Sequence, residues 1–301
     1  MRLRDLVEGA KRRLEAAGIP RAEAALDVEL LARDVLGWDR ATWIARRDDD
    51  ERSVDDRTVG ARGLGAFAAS FESLVARRAK REPMVYIRGT QEFYGREFLV
   101  GPGVLIPRPE SEFVVQEALA AARTPGRTVL RIADVGTGSG ILAITLALEL
   151  HGPRFVATDI SPEALTIARG NAAAHEVSSR ITFVETPYLT GVPGTFDLIV
   201  SNPPYVRTTD AAGLEPEVRD HEPAEALFGG DDGLRDLRAM IAAAGEALAP
   251  GGTLVMEFGY GQVRAVKALV EGSGTLALSH VRHDLQDHAR VVVATRRSAG
   301  T

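Results

Sequence analysis

The chain has 301 residues, 45% hydrophobic and 26% charged, a composition typical of a globular protein with one large domain or two. Its formal net charge of -6 provides no overall positive field to attract nucleic acid, and the absence of cysteine excludes disulfides and thiolate metal sites. Because no apolar run has membrane-spanning length and the polar start does not resemble a signal peptide, the sequence favours a cytoplasmic protein.

The amino-terminal 82 residues have the periodicity of helices. Apolar residues recur at helical spacing in three segments, 3–14, 21–36 and 64–81. Four basic residues occur in the last turn of the third helix: Arg77, Arg78, Lys80 and Arg81. Since cations at the carboxyl end of a helix suit its dipole, we favour that role over a nucleic-acid patch. The charged residues 48–56 predict a loop, and the region 1–82 as a whole predicts a small helical domain.

Residues 83–112 are predicted to link this domain to the rest of the chain and to pack over its functional site. Residues 93–100 have the pattern of a β-hairpin with its turn near Gly95. Residues 104–106 predict a short strand, which the prolines that follow would stop. The chain is then expected to continue as a helix over residues 110–121.

From residue 113 onward, short apolar runs alternate with helical patterns. The predicted strands are 129–134, 155–158, 181–184, 196–200, 253–257, 276–281 and 291–295. The predicted helices are 141–150, 161–171, 234–248 and 262–271. Strands separated by helices indicate a mostly parallel, doubly wound sheet with right-handed crossovers. The sequence therefore predicts an α/β domain over residues 113–301.

The first strand of this domain ends in a glycine-rich turn. Its residues are Gly136, Thr137, Gly138, Ser139 and Gly140. Glycines there let the backbone pass close beneath a ligand, and Asp159, at the end of the second strand, can accept both ribose hydroxyls of an adenine nucleoside. The spacing G-x-G-x-G differs from the dinucleotide pattern G-x-G-x-x-G, and a P-loop lysine is absent. S-adenosyl-L-methionine, which has no pyrophosphate, is therefore expected rather than NAD.

The fourth strand runs into Asn202-Pro203-Pro204-Tyr205, a rigid turn at the sheet edge where open α/β folds bind ligands. The amide oxygen of Asn202 and the carbonyl of Pro203 can accept both hydrogens of a planar NH2 group, and Tyr205 can lie flat against that group. Held in this way, a weakly nucleophilic nitrogen is aimed at an electrophile such as the methyl group of S-adenosylmethionine. The alternative is a structural turn in which Asn202 caps the residues that follow.

Two further features of the sequence, a pair of charged residues and an acidic segment, have two interpretations each. A third, the histidines, bears on whether a metal site is expected. Arg108 and Glu112 either orient the substrate or brace the turn, or they form a structural ion pair. The acidic segment 206–232 is either a lid or a solvated surface. The histidines show no metal-ligand spacing, so no metal site is expected.

Seven short motifs are spread along the chain. They are EPMVYIRG (82–89), FYG (93–95), VLIPRPESE (104–112), DVGTGSG (134–140), SNPPY (201–205), EP (222–223) and EFG (257–259). Through them the sequence resembles, nearly end to end, the bacterial HemK/PrmC family of methyltransferases that modify glutamine in peptide chain release factors. The Asn-Pro-Pro-Tyr motif is shared with adenine methyltransferases. The Ile-Pro-Arg-Pro-Glu stretch is far more specific, and it favours a release factor over a ribosomal protein as substrate.

The resemblance implies a helical amino-terminal domain that helps to grip the release factor. It also implies a seven-stranded, Rossmann-like domain of the class I S-adenosylmethionine-dependent methyltransferases. Residues 136–140 and Asp159 would bind the cofactor, and Asn202 with the turn around it would hold the glutamine of a Gly-Gly-Gln loop. The third strand departs from the family pattern, because Pro187 occupies a position that is usually acidic, but Tyr188 can still stack on adenine.

The expected reaction is a direct in-line methyl transfer to the glutamine amide nitrogen, after which the proton passes to water. The predicted substrate-binding residues are Asn202, Pro203, Pro204 and Tyr205. Of these, Asn202 also contacts the cofactor, and all but Pro204 are catalytic. Three alternatives remain: a glutamine methyltransferase of a ribosomal protein, an adenine-specific nucleic-acid methyltransferase, and a non-enzymatic binding module. The net charge argues against the second, and the two intact turns argue against the third.

Overall fold

A computed structural model describes residues 3–47, 63–124, 126, 128–129 and 131–298. The chain divides into two compact units, Met1–Arg88 and Gly89–Thr301. The loop predicted at 48–56 lies outside the described residues. In the described part of the chain, no helix is both long enough and apolar enough to cross a membrane.

The first unit is helical. Its helices are α1 (Leu3–Ala16), α2 (Arg21–Leu36), α3 (Arg40–Arg46), α4 (Gly63–Arg78) and α5 (Met84–Arg88). The apolar stripes of α1, α2 and α4 share one core, in which Leu14, Leu31 and Phe71 are fully buried. These three helices confirm the prediction. The helices α3 and α5 are additional, because segments of seven and five residues are too short to show a helical period.

The side chain of Arg78 corrects the interpretation of the basic end of α4. It is only 2% exposed, and its guanidinium forms ion pairs with Asp27 at 2.6 Å and Glu23 at 2.5 Å, both on α2. A buried guanidinium requires such partners, because an uncompensated charge in the interior is costly. Arg78 therefore joins α2 to α4 and is not a surface cation at the end of a helix.

The second unit begins with the predicted hairpin. Strands β1 (Thr90–Phe93) and β2 (Arg96–Leu99) pair antiparallel. Their two-residue turn consists of Tyr94 and Gly95, whose φ values of +54° and +72° are those that a type I′ turn requires. The predicted helix follows as α6 (Ser111–Ala122).

The strand predicted at residues 104–106 is wrong. These residues are described, and they form an irregular segment between β2 and α6. The N–H group of Ile106 donates to the carboxylate of Glu222 at 3.1 Å instead of to a neighbouring strand. A side-chain acceptor thus satisfies the backbone where the apolar pattern suggests a sheet.

The centre of the second unit is a seven-stranded sheet, as predicted. Its strands are β3 (Arg131–Val135), β4 (Arg154–Asp159), β5 (Ile181–Glu185), β6 (Phe196–Ser201), β7 (Leu248–Glu257), β8 (Leu276–His283) and β9 (Ala289–Arg296). They lie in the order β5-β4-β3-β6-β7-β9-β8. Among these described strands, β9 alone runs in the direction opposite to the other six. The helices of this part are α7 (Ile141–Glu149), α8 (Pro162–Ala174), α9 (Pro216–His221), α10 (Ala224–Leu227), α11 (Arg235–Ala247) and α12 (Val263–Gly272).

The strand order determines where a ligand can bind. The chain runs outward from β3 through β4 to β5, and it then returns to place β6 on the other side of β3. Val135 at the end of β3 pairs with Ser201 at the end of β6. Ligands of open α/β sheets bind where the strand order reverses. The glycine turn after β3 and the Asn-Pro-Pro-Tyr turn after β6 therefore open side by side.

The acidic segment 206–232 is more ordered than its composition suggests. It contains a 3₁₀ helix at Thr208–Gly213 in addition to α9 and α10. Backbone hydrogen bonds from Val206 to Leu227 (2.9 Å) and from Thr208 to Gly230 (3.0 Å) join its two ends. Because α9 and α10 have only six and four residues, their sequence carries no recognisable period.

Candidate active site

A cavity of about 580 Å³ opens at the carboxyl edge of the sheet. Its walls include residues 103–111, the glycine turn, the segments that follow β4 and β5, the Asn-Pro-Pro-Tyr turn, residues 223–226 and two residues of α11. This volume falls within the range of small-molecule sites in proteins. The two turns that the sequence singles out are thus brought into one cavity.

The backbone of the glycine turn is shaped for a ligand. The N–H groups of Gly136 and Thr137 both donate to the carbonyl of Thr158 at 2.9 Å, which ties the turn to β4. Gly136 and Gly138 have φ values of +71° and +55°, and a Cβ built on either would meet no protein atom within 4 Å. Both glycines line the cavity, so the space beside them is available to a bound molecule.

Gly140 serves a different purpose in the same turn. It has a φ value of +85°, and a Cβ at this position would lie 2.8 Å from Cδ1 of Ile144 and 3.2 Å from Cβ of Ala168. The third glycine therefore allows α7 to begin in close contact with α8, whereas the first two leave room for a ligand.

Two carboxylates support the turn. Asp159 is half-buried at the end of β4 and accepts the N–H groups of Gly138 and Ser161, each at 2.9 Å. Asp134 is buried and accepts the Thr137 hydroxyl at 2.6 Å and the Ala143 N–H at 3.0 Å. Burial raises the pKa of the Asp134 carboxyl to about 6. Asp134 therefore braces the turn from beneath, a role that its place in the DVGTGSG motif does not reveal.

Tyr188 lies in the cavity wall after β5, beside Pro187. Its hydroxyl donates to Asp236 on α11 at 2.9 Å, and its carbonyl accepts the Thr158 hydroxyl at 2.6 Å. Burial raises the pKa of the Tyr188 phenol to about 12, so it remains a neutral donor. Its stacking on adenine stays a prediction. Asp236 also lines the cavity, and it brings a carboxylate to this wall from a different element.

Asn202 is connected to two residues whose contact with it the sequence does not predict. Its Nδ2 donates to the Ser111 hydroxyl at 3.0 Å, and that hydroxyl donates to Oε2 of Glu257 at 2.7 Å. The Tyr205 hydroxyl donates to the other oxygen of Glu257 at 3.1 Å. Ser111 and Glu257 are 0% and 1% exposed. Both lie in motifs that carry the resemblance, which was a signal of their importance but not of their role.

Glu257 is the centre of this network. It ends β7, whereas Ser111 begins α6 and Tyr205 follows β6, so one carboxylate joins three elements. Burial raises the pKa of the Glu257 carboxyl to about 7. Burial and the adjacent Glu257 carboxylate also raise the pKa of the Tyr205 phenol above its ordinary value.

The turn presents three of its four residues to the cavity. Asn202, Pro203 and Pro204 line it, whereas the Tyr205 side chain packs with the core cluster that includes Phe258. Gln262 holds the Tyr205 backbone, because its Nε2 donates to the Tyr205 carbonyl at 3.0 Å. Bracing of the turn by Tyr205 is therefore directly visible, while its stacking against a substrate stays a prediction.

Arg108 and Glu112 do not pair with each other. Arg108 lines the cavity and forms an ion pair with Glu222, at 2.5 Å, within the segment 206–232. Glu112 accepts the N–H of Tyr94 in the hairpin turn at 3.1 Å. Glu222 is 5% exposed and also accepts the N–H of Ile106, so this acidic residue is a buried brace and not part of a solvated surface.

Two family models match the chain. One, described as the methyltransferase small domain, matches residues 115–214, and the other, the PrmC N-terminal domain, matches residues 5–89. A release factor glutamine methyltransferase from Deinococcus radiodurans is 39% identical over 300 residues and covers 100% of both chains. Another, from Cereibacter sphaeroides, is 41% identical over 294 residues and covers 98% of both chains.

A solved structure shares the fold at lower identity. A methyltransferase from Pyrococcus furiosus is 18% identical, covers 74% of this chain and 99% of its own, and superposes with a TM-score of 0.52. At this level of identity the likeness concerns the fold alone. It agrees with the α/β methyltransferase architecture that the sequence predicts.

Proposed function

Because the chain belongs to the family of release factor glutamine methyltransferases, we propose that it methylates the side-chain amide nitrogen of the glutamine in the Gly-Gly-Gln motif of peptide chain release factors. The methyl donor is S-adenosyl-L-methionine. The observation that carries the proposal is the position of Asn202 and Pro203 in the wall of the same cavity as the glycine turn. A planar amide and a methyl donor can meet there.

The residues present fit the cofactor. Open space beside Gly136 and Gly138 accommodates a ligand close to the backbone, and Asp159 still has acceptor capacity at the end of β4 for ribose hydroxyls. Thr137 and Ser139 also line the cavity, as does Tyr188, whereas Gly140 does not. When bound, S-adenosylmethionine supplies an electrophilic methyl group on a positively charged sulfur.

The Asn-Pro-Pro-Tyr turn orients the substrate amide. The Asn202 side-chain oxygen and the Pro203 carbonyl accept its two hydrogens, which directs the nitrogen lone pair toward the methyl group. Fixed dipoles in a partly dehydrated cavity act without reorganising during the reaction. After transfer the nitrogen loses a proton to water.

The first unit is proposed to help grip the release factor. This unit is the part of the chain that the PrmC N-terminal domain model matches. Its exposed apolar side chains include Leu26 and Ile44, at 56% and 59% exposure. Such residues can contact a protein partner that carries apolar surface of its own.

The orienting role of Asn202 is tested with the Asn202→Ala variant. We expect kcat to fall by about 100-fold, since removal of one preorganised polar group from a reaction site commonly has an effect of this size. Calorimetry should show cofactor binding changed only slightly. Near-normal turnover by a variant that still binds the cofactor would contradict the proposed role.

A further inference from the structure

The buried pair Ser111 and Glu257 controls which way the Asn202 carboxamide can face. A serine hydroxyl has one hydrogen and two acceptor lone pairs. The Ser111 hydrogen points to Glu257 at 2.7 Å, so Ser111 can only accept from Asn202 at 3.0 Å. The NH2 group of Asn202 must therefore face Ser111. Its Oδ1 is then directed to the other side, toward the position proposed for the substrate amide.

The reversed carboxamide is disfavoured by the same hydrogen count. If Asn202 turned over, its Oδ1 would face the lone pairs of the Ser111 oxygen, and two acceptors would oppose each other in a buried place. The NH2 group would then meet the substrate NH2 group. A reversed Asn202 could not accept a substrate hydrogen at all, so its orientation decides whether the turn can work.

We propose that Ser111 and Glu257 are positioning residues for methyl transfer, which hold the Asn202 carboxamide with its oxygen toward the substrate amide. Neither residue touches the reacting atoms in this account, because both act through Asn202. The inference rests on the proposed function and deepens it, since it names what keeps the substrate-binding turn in its active arrangement.

The ionised form of Glu257 is the form that sets this direction. Each of its two oxygens accepts one hydroxyl hydrogen, from Ser111 and from Tyr205. A protonated Glu257 would have to donate its own hydrogen to one of them. If Ser111 received it, the Ser111 hydrogen would turn toward Asn202 and require the reversed carboxamide. Protonation of Glu257 therefore favours the reversed Asn202 carboxamide, in which Oδ1 no longer faces the cavity.

The surroundings of Glu257 place this change in an accessible pH range. Burial raises its pKa to about 7, and the negative charge of Glu110 acts in the same direction. The Ser111 and Tyr205 hydrogen bonds and the positive charge of Arg290 act against it. We therefore expect kcat to decline as the pH falls below about 7.

The test combines Ser111→Ala with Asn202→Ala in a double-mutant cycle. With a release factor as substrate, Ser111→Ala should lower kcat by about 10-fold to 100-fold, as small misplacements of reacting groups do. In the Asn202→Ala background, the same substitution should have no further effect. The cofactor Kd should match that of Thr145→Val, a control that removes another buried hydroxyl, one without a hydrogen-bond partner among the described residues. The melting temperature of Ser111→Ala should be lower than that of this control, because the substitution leaves the buried Glu257 carboxylate with one hydrogen bond fewer.

The Glu257→Gln variant provides a second, independent test of the positioning role. Its neutral amide cannot accept both hydroxyl hydrogens without changing one bond, so kcat should fall, and the acidic decline of the wild-type pH profile should disappear. An unchanged kcat in Ser111→Ala, or losses that add fully to those of Asn202→Ala, would overturn the positioning role while leaving the proposed function in place. Full turnover by Asn202→Ala would instead overturn the proposed role of Asn202 and this inference with it.

Discussion

At the scale of single residues, the active turn depends on partners that are remote in the sequence. Asn202 is recognisable because it belongs to a short motif with clear chemistry. Ser111 precedes it by 91 positions and precedes Glu257 by 146. Local periodicity and spacing cannot show that such residues meet. Only the strand order, which brings the ends of β6 and β7 next to the start of α6, places them together.

The two raised carboxyl pKa values predict how stability depends on pH. Glu257, with a pKa of about 7, and Asp134, with a pKa of about 6, bind protons more readily in the folded than in the unfolded chain. Their contribution to stability is therefore complete below the unfolded values, near pH 4, and is lost as the pH rises through 6 to 7. Because glutamine does not ionise, Glu257→Gln removes the part of this pH-dependent loss of stability that comes from Glu257.

Urea denaturation at pH 5 and pH 8 measures this effect. We expect the free energy of unfolding of Glu257→Gln, relative to the wild type, to rise between the two values by up to about 3 kcal/mol. Glu246→Gln, at an exposed position on α11, is the control and should show little change. If the difference in the free energy of unfolding between Glu257→Gln and the wild type were the same at both pH values, Glu257 would not be buried as described.

Alanine substitutions at two glycines of the glycine turn are expected to affect different properties, stability at Gly140 and ligand binding at Gly138. Gly140→Ala places a Cβ against Ile144 at a φ of +85°, so we expect a loss of about 1–3 kcal/mol in stability. Gly138→Ala meets open space at a φ of +55°, so its cost in stability should be about 1 kcal/mol, while its methyl group occupies the ligand's side of the turn.

Thermal unfolding and calorimetric titration with the cofactor distinguish the two variants. Gly138→Ala should weaken cofactor binding by more than about 10-fold, which corresponds to 1.4 kcal/mol. Gly140→Ala should lower the melting temperature more than Gly138→Ala does. The opposite ranking in either measurement would contradict the separate roles of the two glycines, in which Gly138 leaves space for the ligand and Gly140 allows close helix packing.

At the scale of elements, the buried ion pair between α2 and α4 predicts a large stability effect in the first unit. Arg78→Ala leaves Asp27 buried without this partner, and we expect a loss of about 3–5 kcal/mol. Arg88→Ala removes a more exposed pair with Asp34 and should cost less than about 1 kcal/mol. Both tryptophans, Trp38 and Trp43, lie in this unit, so their fluorescence during denaturation follows its unfolding alone. Equal losses in the two variants would contradict the burial of Arg78.

Long elements could be predicted from the sequence, and short ones could not. Helices such as α2 and the strands of the seven-stranded sheet have enough residues to show their period. The helices α3, α5, α9 and α10 have between four and seven residues, fewer than two full turns of helix. Residues 104–106 mislead for another reason, because a distant carboxylate, Glu222, takes the place of a neighbouring strand.

The candidate site could be predicted only in part, because local patterns identify its turns but not the distant residues that brace them. The two ligand-facing turns follow buried strands directly, so a local pattern identifies them. Their braces come from elsewhere in the chain: Thr158 and Asp159 hold the glycine turn, and Ser111 and Glu257 hold Asn202. Pairings over such separations depend on topology, which a single sequence specifies only through its fold.

At the scale of the whole molecule, the chain divides into two compact units between Arg88 and Gly89. The second contains the complete cavity, since all the residues that line it lie between Gly103 and Met240. The reversal of strand order between β5 and β6 places the glycine turn beside the Asn-Pro-Pro-Tyr turn. The first unit adds a helical surface that we assign to recognition of the release factor.

The most direct test is to measure the mass of a release factor after incubation with this protein and S-adenosylmethionine, and then to map the modified peptide. We expect a single added methyl group on the glutamine of the Gly-Gly-Gln motif, and no addition when that glutamine is replaced. Methylation of a ribosomal protein or of DNA with none on the release factor would contradict the proposed substrate. An absence of methyl transfer to all three would contradict the methyltransferase activity itself.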